Sequence, residues 1–230
     1  MTSVLKYTAL ISLALLLNSC SKDDDGGQNS PVVISGWEYF PVDSGMTRYY
    51  QVDSVYWDPF TGVHDTVSYE LKETIAGDFI DNQGRTAQRI ERFRKDLSGN
   101  WIIYKVWSAV RTNTTAENVE DNIRILKLTF PCSTGVNWNG NAYNALGEKT
   151  FEYTTCNVGG SSYSLQFTQT STVNQDDEPG NLLNDRNDLE KYAANIGMYY
   201  RLNSFVEFNF ISGDTVSGFI YTEKLTSYTL

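Results

Sequence analysis

Histidine chemistry is limited in this chain, because His64 is the only histidine among 230 residues. A Ser-His-Asp triad, a histidine-rich metal site or a histidine proton relay would each need it. It lies in the turn-rich segment Asp58 to Asp65, which is typical of a hairpin tip. A catalytic base must be held in a shaped cleft. We therefore expect His64 to be an exposed loop residue and assign no catalytic residue to the chain.

Carboxylates are the abundant catalytic residue type, with 28 Asp and Glu. Two carboxyl groups at a suitable separation hydrolyse glycosidic bonds. The spacing of Glu70, Glu73, Glu91 and Glu152 singles out no pair, so we expect them on the solvent faces of strands. A further acidic group could surround Ca²⁺: Asp176, Asp177, Glu178, Asp185 and Asp188. It lacks EF-hand spacing, and we expect a solvated acidic loop without a metal.

Basic and aromatic residues offer the other candidate binding groups. The basic stretch consists of Arg85, Arg89, Arg92, Arg94 and Lys95. On a strand these side chains would fall on both faces, which favours cross-strand ion pairs over an anion site. Sugar or peptide stacking could use Trp57, Trp101, Trp107 and Trp138. Core packing is the expected role for most of them, because aromatic residues dominate β cores.

The first 19 residues have the pattern of a secretory signal, with Lys6, no acid, and an apolar core from Thr8 to Leu17. This core is shorter than the roughly 20 apolar residues of a permanent membrane span. The next residues, Leu17-Asn18-Ser19-Cys20, resemble the lipobox of bacterial lipoproteins, in which the cysteine receives a diacylglycerol and, after cleavage, a further acyl chain. The resemblance implies lipidation of Cys20 and membrane attachment. An ordinary signal peptide with a chance cysteine is the alternative.

Acidic residues follow this cysteine directly. The run Ser21-Lys22-Asp23-Asp24-Asp25 resembles the export signal of Bacteroidota surface lipoproteins, which implies an outer-membrane location facing the cell exterior. A solvated linker is the alternative. The expected organisation is a signal peptide at 1–19, a flexible acidic tether at 20–34 and a single β-rich domain at 35–230. The formal net charge of −10 makes nucleic acid a poor partner.

Two further cysteines remain for other roles. Since lipid would consume Cys20, an exported chain would hold Cys132 and Cys156 as an even pair, which favours a disulfide. The closed loop of about 25 residues would stabilise the fold by roughly 3 kcal/mol in the chain-entropy model. Free buried thiols are the alternative. Neither arrangement favours a cysteine nucleophile.

Short alternating runs between turn residues predict an all-β, largely antiparallel fold with at most one short helix. The predicted strands are Thr47 to Trp57, Thr66 to Ile75, Ala87 to Lys95, Trp101 to Val110, Asn122 to Phe130, Thr150 to Thr155, Tyr163 to Thr170, Ile196 to Phe210 and Val216 to Tyr228. Hairpin connections are predicted at 81–84, 96–100 and 211–214.

Three local predictions are more specific. Tyr163, Leu165 and Phe167 alternate with polar residues, which predicts a strand with one buried face. The run from Trp101 to Trp107 has apolar residues at both its odd and its even positions, which predicts a central strand that is covered on both sides. The segment Leu182 to Ala194 is the one predicted helix, with Asn184 as its cap.

A second resemblance spans the domain. The opening Trp37-Glu38-Tyr39-Phe40-Pro41-Val42-Asp43-Ser44-Gly45, followed by Tyr49-Tyr50-Gln51-Val52, resembles a class of uncharacterised Bacteroidota lipoproteins with the pattern YFPL-x-x-G-x-x-x-x-Y-x-V. Residues 192–200 and 218–228 are similar to the end of that class. The resemblance implies a curved antiparallel sheet or open half-barrel, like that of periplasmic lipoprotein carriers. It implies no known activity.

The triplets beginning at Asp53, Asp65 and Asp214 match the Asp-Ser/Thr-hydrophobic acceptor pattern for protein O-glycosylation in Bacteroidota. The candidate acceptors are Ser54, Thr66 and Thr215. Ordinary strand starts are the alternative.

With no cofactor motif and few catalytic residue types, we expect a non-enzymatic binding or assembly module. Its partner would be a hydrophobic or glycan ligand, or another envelope protein. The alternative is a surface polysaccharide hydrolase that uses paired carboxylates.

Overall fold

The structure is a computed structural model that describes residues 35–61, 63–175 and 181–230. One sheet of 12 antiparallel strands accounts for the fold, and the only helical turn in these ranges is a 3₁₀ turn at Trp37–Tyr39. The all-β, antiparallel prediction is confirmed. None of the described residues forms a helix with the length and apolarity that a bilayer crossing requires. The signal peptide, Cys20 and the acidic run Ser21 to Asp25 lie outside the described residues.

The strand bounds are β1 Thr47–Trp57, β2 His64–Ile80, β3 Thr86–Lys95, β4 Trp101–Arg111, β5 Thr115–Glu120, β6 Ile123–Thr129, β7 Asn137–Asn139, β8 Thr150–Ser162, β9 Leu165–Asn174, β10 Asn184–Ala193, β11 Gly197–Phe208 and β12 Thr215–Thr229. The hydrogen-bonding order is β6-β5-β4-β3-β2-β1-β12-β11-β10-β9-β8-β7. Two meanders, β1–β6 and β7–β12, are therefore joined where β1 pairs with β12. The three predicted hairpin connections are confirmed.

The sheet is curved until its two edges almost meet. Strands β6 and β7 lie at opposite ends of the hydrogen-bonding order, yet only residues 130–136 separate them. At the seam, the Leu126 N–H donates to the Gly140 carbonyl at 2.8 Å, and the Trp138 indole donates to the Leu126 carbonyl at 2.9 Å. Next to the seam, Cys132 and Cys156 form a disulfide with Cα atoms 6.1 Å apart.

The 3₁₀ turn fills one end of the concave face, which we call the base. Tyr39 is fully buried there, and its hydroxyl donates to Asn157 Oδ1 at 2.7 Å. Gly36 precedes the turn with φ +102° and lies against Phe130 and Cys132, which leaves no room for a Cβ atom. The opposite end, where the β1–β2, β3–β4 and β11–β12 hairpins turn, is called the mouth.

The helix predicted at Leu182 to Ala194 is wrong. This segment is β10, which pairs with β11 along its whole length. Its buried positions include Asp188, Glu190 and Tyr192, so burial follows the two-residue period of a strand. The strand pattern was hard to see because two of the three inward-facing residues are acidic.

Two other local predictions are also wrong in part. Tyr163 lies in the β8–β9 turn with φ +51°, and of the predicted buried face only Phe167 is fully buried. Strand β4 is not covered on both sides, because Ile103 and Val106 are 52% and 45% exposed. The reason is that β5 pairs only with Ser108–Arg111, which leaves the mouth half of β4 without a second neighbour.

Candidate functional site

A buried ion-pair network occupies the concave face above the base. Its acids are Glu73, Glu120, Glu190 and Glu223, and its bases are Arg48, Arg92, Lys127 and Arg201. Two short contacts cross the sheet interior: Arg92 Nη2 lies 2.7 Å from Glu223, and Lys127 Nζ lies 2.6 Å from Glu190. Positive and negative groups balance, so the interior holds paired charges without a net excess.

The positive charges of the network keep Glu190 and Glu223 ionised. Burial alone would raise the pKa of Glu223, but the positive charges of Arg92 and Arg201 outweigh burial and hold that pKa below its ordinary 4.5. The same balance lowers the pKa of Glu190, where Arg201 and Lys127 supply the positive charge. A general acid needs a raised pKa instead. These carboxylates are therefore suited to holding the interior together.

Two tyrosines extend the network, Tyr221 toward the mouth and Tyr192 toward the base. Tyr192 donates a hydrogen bond to Glu190, and Tyr221 donates one to Glu223. Burial is the main cause that raises the pKa of both phenols, and the neighbouring carboxylate raises it further. Both hydroxyl groups therefore stay protonated and remain donors at neutral pH.

A cleft of about 700 Å³ opens at the mouth. It lies where the β3–β4 hairpin ends beside the longer β1–β2 hairpin, since the last pair between β2 and β3 is Leu71 with Arg94. Its volume falls within the usual range of small-molecule sites. The lining combines tyrosine rings, hydrogen-bonding side chains and apolar edges, including Gln51, Ser68, Tyr69, Arg94, Ile102 and Tyr104.

The cleft is connected to the buried network through Tyr69. The Tyr69 pKa is raised first by burial, and its hydrogen bond with Tyr221 opposes that rise. Tyr221 is itself bonded to Glu223, so Tyr69 lies next to the buried network. The Arg94 guanidinium lies over this ring at 4.0 Å from its centroid. Tyr104, by contrast, is 48% exposed and presents its ring to solvent.

The two acids that line the cleft are already engaged. Glu70 forms an ion pair with Lys95 at 2.8 Å. Asp96 accepts hydrogen bonds from the backbone N–H groups of Ser98 and Asn100, each at 2.8 Å. The carboxylate of Asp96 thus stabilises the β3–β4 turn, as is usual for aspartate in turns.

His64 is exposed as predicted, but it is the first residue of β2, paired with Trp57, and not a loop residue. The expectation for the four singled-out glutamates is wrong for Glu73, which is 7% exposed and belongs to the buried network. Glu70 and Glu152 are exposed, whereas Glu91 is half-buried. The structure does not bring the four together as one site.

Four of the five residues in the basic stretch form ion pairs, and two of these pairs are of the predicted cross-strand kind. Arg92 pairs with Glu73 and Lys95 with Glu70, both on the neighbouring strand β2. Arg85 in the β2–β3 turn pairs with Asp81 and Glu117, and Arg89 pairs with Glu91 on its own strand. Among the described residues, no carboxylate forms an ion pair with Arg94. Of the tryptophans, Trp107 is buried and covers Arg92; Trp57, Trp101 and Trp138 are half-buried.

The acidic group predicted as a solvated loop is only partly within the described residues, since 176–180 fall outside them. Asp185 is exposed, and Asp188 is buried in an ion pair with Lys149 at 2.8 Å. The described part of the chain has no cluster of three or more metal-ligating side chains. The glycosylation candidates stay predictions: Thr66 is exposed, and Ser54 and Thr215 are half-buried.

Comparison with known proteins gives two structural neighbours. One is a "putative exported protein with YmcC-like fold" from Bacteroides fragilis NCTC 9343, with a TM-score of 0.44 and 10% identity over 84% of this chain and 99% of that one. The other is a "putative lipoprotein" from Parabacteroides distasonis ATCC 8503, with a TM-score of 0.40 and 9% identity over 83% and 98%. No family model and no curated protein matches the chain.

Proposed function

We propose that this protein is a lipid-anchored outer-membrane protein that faces the cell exterior and binds a saccharide in the mouth cleft without cleaving it. The observation that carries the ligand assignment is the lining of the cleft, where an exposed tyrosine ring lies among hydrogen-bonding side chains. The anchoring rests on the N-terminal sequence, in which Cys20 ends an apolar signal and the acids Asp23 to Asp25 follow at once.

The lining favours a saccharide over a hydrocarbon. A purely apolar ligand would cover Arg94, which has no hydrogen-bond partner among the described residues, and unpaired polar groups are costly to bury. Gln51 and Ser68 are already bonded to each other at 2.7 Å, and a sugar hydroxyl group can join that pair. A sugar also offers a hydroxyl group to Arg94 and a C–H face to the Tyr104 ring. Aromatic rings with polar neighbours are suited to such amphipathic partners.

Binding without cleavage is supported by the state of the nearby carboxylates. Glycoside hydrolysis needs a protonated acid and a second free carboxylate. In the cleft, Glu70 is held by Lys95 and Asp96 by its own turn. Below the cleft, the buried Glu190 and Glu223 have lowered pKa values. A group of this kind lacks the proton that a leaving sugar oxygen must receive.

A glycan array tests the proposal, with the chain from residue 21 onward, which retains every strand. Tyr104→Ala should weaken binding about five- to tenfold, equivalent to ~1 kcal/mol of lost aromatic contact. Phe60→Ala is the matched control, because Phe60 is 96% exposed outside the cleft lining. Equal effects of both variants, or no saccharide binding by the wild-type chain, would contradict the proposal.

A turnover assay on every bound glycan separates binding from hydrolysis. The wild-type chain should release no reducing ends, and Glu70→Gln should leave binding unchanged. Release of reducing ends that stops in Glu70→Gln would replace the binding proposal with a hydrolase.

A further inference from the structure

Among the described residues, Arg94 is the one arginine with neither a carboxylate nor a carbonyl partner. All nine arginines of the sequence lie in the described residues, and seven of them have a carboxylate within 4.0 Å. Arg111 instead donates to the carbonyls of Trp37 and Phe40. Arg94 has neither kind of partner, and its one described interaction is the stack on Tyr69.

The Tyr69 ring covers one side of the Arg94 guanidinium, whose Cζ lies 4.0 Å from the ring centroid. The N–H groups of a guanidinium lie along its edge, where they match the two oxygens of a carboxylate. The Tyr69 ring below is itself half-buried. Arg94 is thus held in place while its hydrogen-bonding edge stays free, which lowers the cost of ordering it when a ligand arrives.

The carboxylates close to Arg94 do not compete for it. Glu70 is engaged by Lys95, and Asp96 accepts from the β3–β4 turn. The network acids below pair with Arg92 and Arg201. The anion that completes this site must therefore come from a ligand, even though the chain as a whole carries a net charge of −10.

Resting on the saccharide function proposed above, we infer that the cleft selects sugars that carry a carboxylate on the pyranose ring, with Arg94 as the residue that recognises it. The sugar face would lie against Tyr104, and Gln51 and Ser68 would meet its hydroxyl groups. Uronic and sialic acids share this chemistry. Both belong in the test.

The test is titration of the full lipidated chain in detergent with a uronate oligosaccharide, its carboxyl-reduced counterpart, a sialylated oligosaccharide and a long-chain fatty acid. The wild-type protein should bind either acidic sugar at least about tenfold more tightly than the reduced one, as expected for hydrogen bonds to a charged group. Arg94→Gln should abolish this preference, so that the acidic and the reduced sugar bind with equal affinity. Arg94→Lys keeps the positive charge but loses the paired N–H donors of the guanidinium, so this variant should retain only part of the preference for acidic sugars.

Arg89→Gln is the matched control, because Arg89 is on the same strand, is 51% exposed and pairs with Glu91; it should leave the preference intact. Equal binding of acidic and reduced sugars by the wild-type protein, or a preference that survives in Arg94→Gln, would overturn the inference and leave saccharide binding standing. Binding of the fatty acid in preference to all sugars would overturn both proposals, as would failure to bind any sugar.

Discussion

Glu223→Gln is the substitution that tests the buried network most directly. The Glu223 side chain has no exposed surface, and both of its oxygens lie 2.7 Å from Arg92, which is itself 3% exposed. Glutamine keeps the size and can still accept from Tyr221, but it removes the negative charge. Breaking one partner of a buried ion pair usually costs 3–5 kcal/mol. We expect about 3 kcal/mol here, at the lower end, because Glu73 still lies 3.2 Å from Arg92.

This loss would be a large part of the 5–15 kcal/mol that stabilises a typical domain. Urea unfolding at pH 7, followed by tyrosine and tryptophan fluorescence, measures it as a shift of the midpoint at constant slope. Adding Arg92→Met restores the balance of the remaining charges, so the double variant should be more stable than either single variant and show a coupling of about 2 kcal/mol. Glu70→Gln is the control, since its exposed pair with Lys95 should contribute below about 1 kcal/mol.

The reasoning would be refuted if Glu223→Gln cost less than about 1 kcal/mol. It would equally be refuted if the double variant cost the sum of the two single ones, because the two charges would then act independently.

Further predictions concern pH, the disulfide and the anchor. Because the pKa of Glu223 is lowered on folding, its contribution to the free energy of unfolding is complete above pH 4.5 and is lost as the pH falls. The midpoint of urea unfolding should therefore decline in acid, and it should decline less steeply in Glu223→Gln. Tyr192 has the opposite effect on the pH dependence, because its pKa is raised on folding. Its contribution to the free energy of unfolding should be complete below pH 10 and decline above it. Replacing Cys132 and Cys156 together with Ala should lower the free energy of unfolding by about 3 kcal/mol, and reduction of the wild-type chain should match it; a smaller effect of both would show that the bridge constrains little. Cys20→Ala should abolish labelling with palmitate and release the protein from the membrane fraction, whereas continued membrane attachment would contradict lipidation.

Much of the fold could be predicted from the sequence because its strands alternate and its turns carry Gly, Asn and Asp. The exceptions share one cause. In β10 the inward positions include Asp188, Glu190 and Tyr192. A rule that places acidic residues on the outside therefore fails to recognise the two-residue alternation of this strand. The segment was assigned to a helix for that reason.

The network could not be predicted, because Arg92 and Glu223 are 131 residues apart in sequence. A weak signal was nevertheless present. Glu73 stands two residues from both Leu71 and Ile75, which are buried on the same face, and Glu223 has the same relation to Leu225. A charged residue that alternates in step with the buried apolar residues of a strand points to the same face, which predicts a buried charge. Its partner can be identified only from the curvature of the sheet.

The cleft was hidden for a different reason. It exists because β2 continues past the end of β3, and strand ends are the least predictable part of a sequence-based assignment. None of the cleft residues Tyr69, Arg94 and Tyr104 belongs to a motif. Arg94 was grouped with its paired neighbours, although it differs from them in forming no ion pair with a described residue.

The pairing of β1 with β12 places the last strand of the chain in the middle of the finished sheet. Until Thr215–Thr229 has been synthesised, β1 and β11 each present an unpaired backbone edge, and such edges invite contact with other chains. The final pairing also joins residues from opposite ends of the sequence, which is a slow kind of contact to form. A stop codon just before β12 would therefore divide the sheet into two separate meanders, whereas an equal loss at an edge strand would only shorten it.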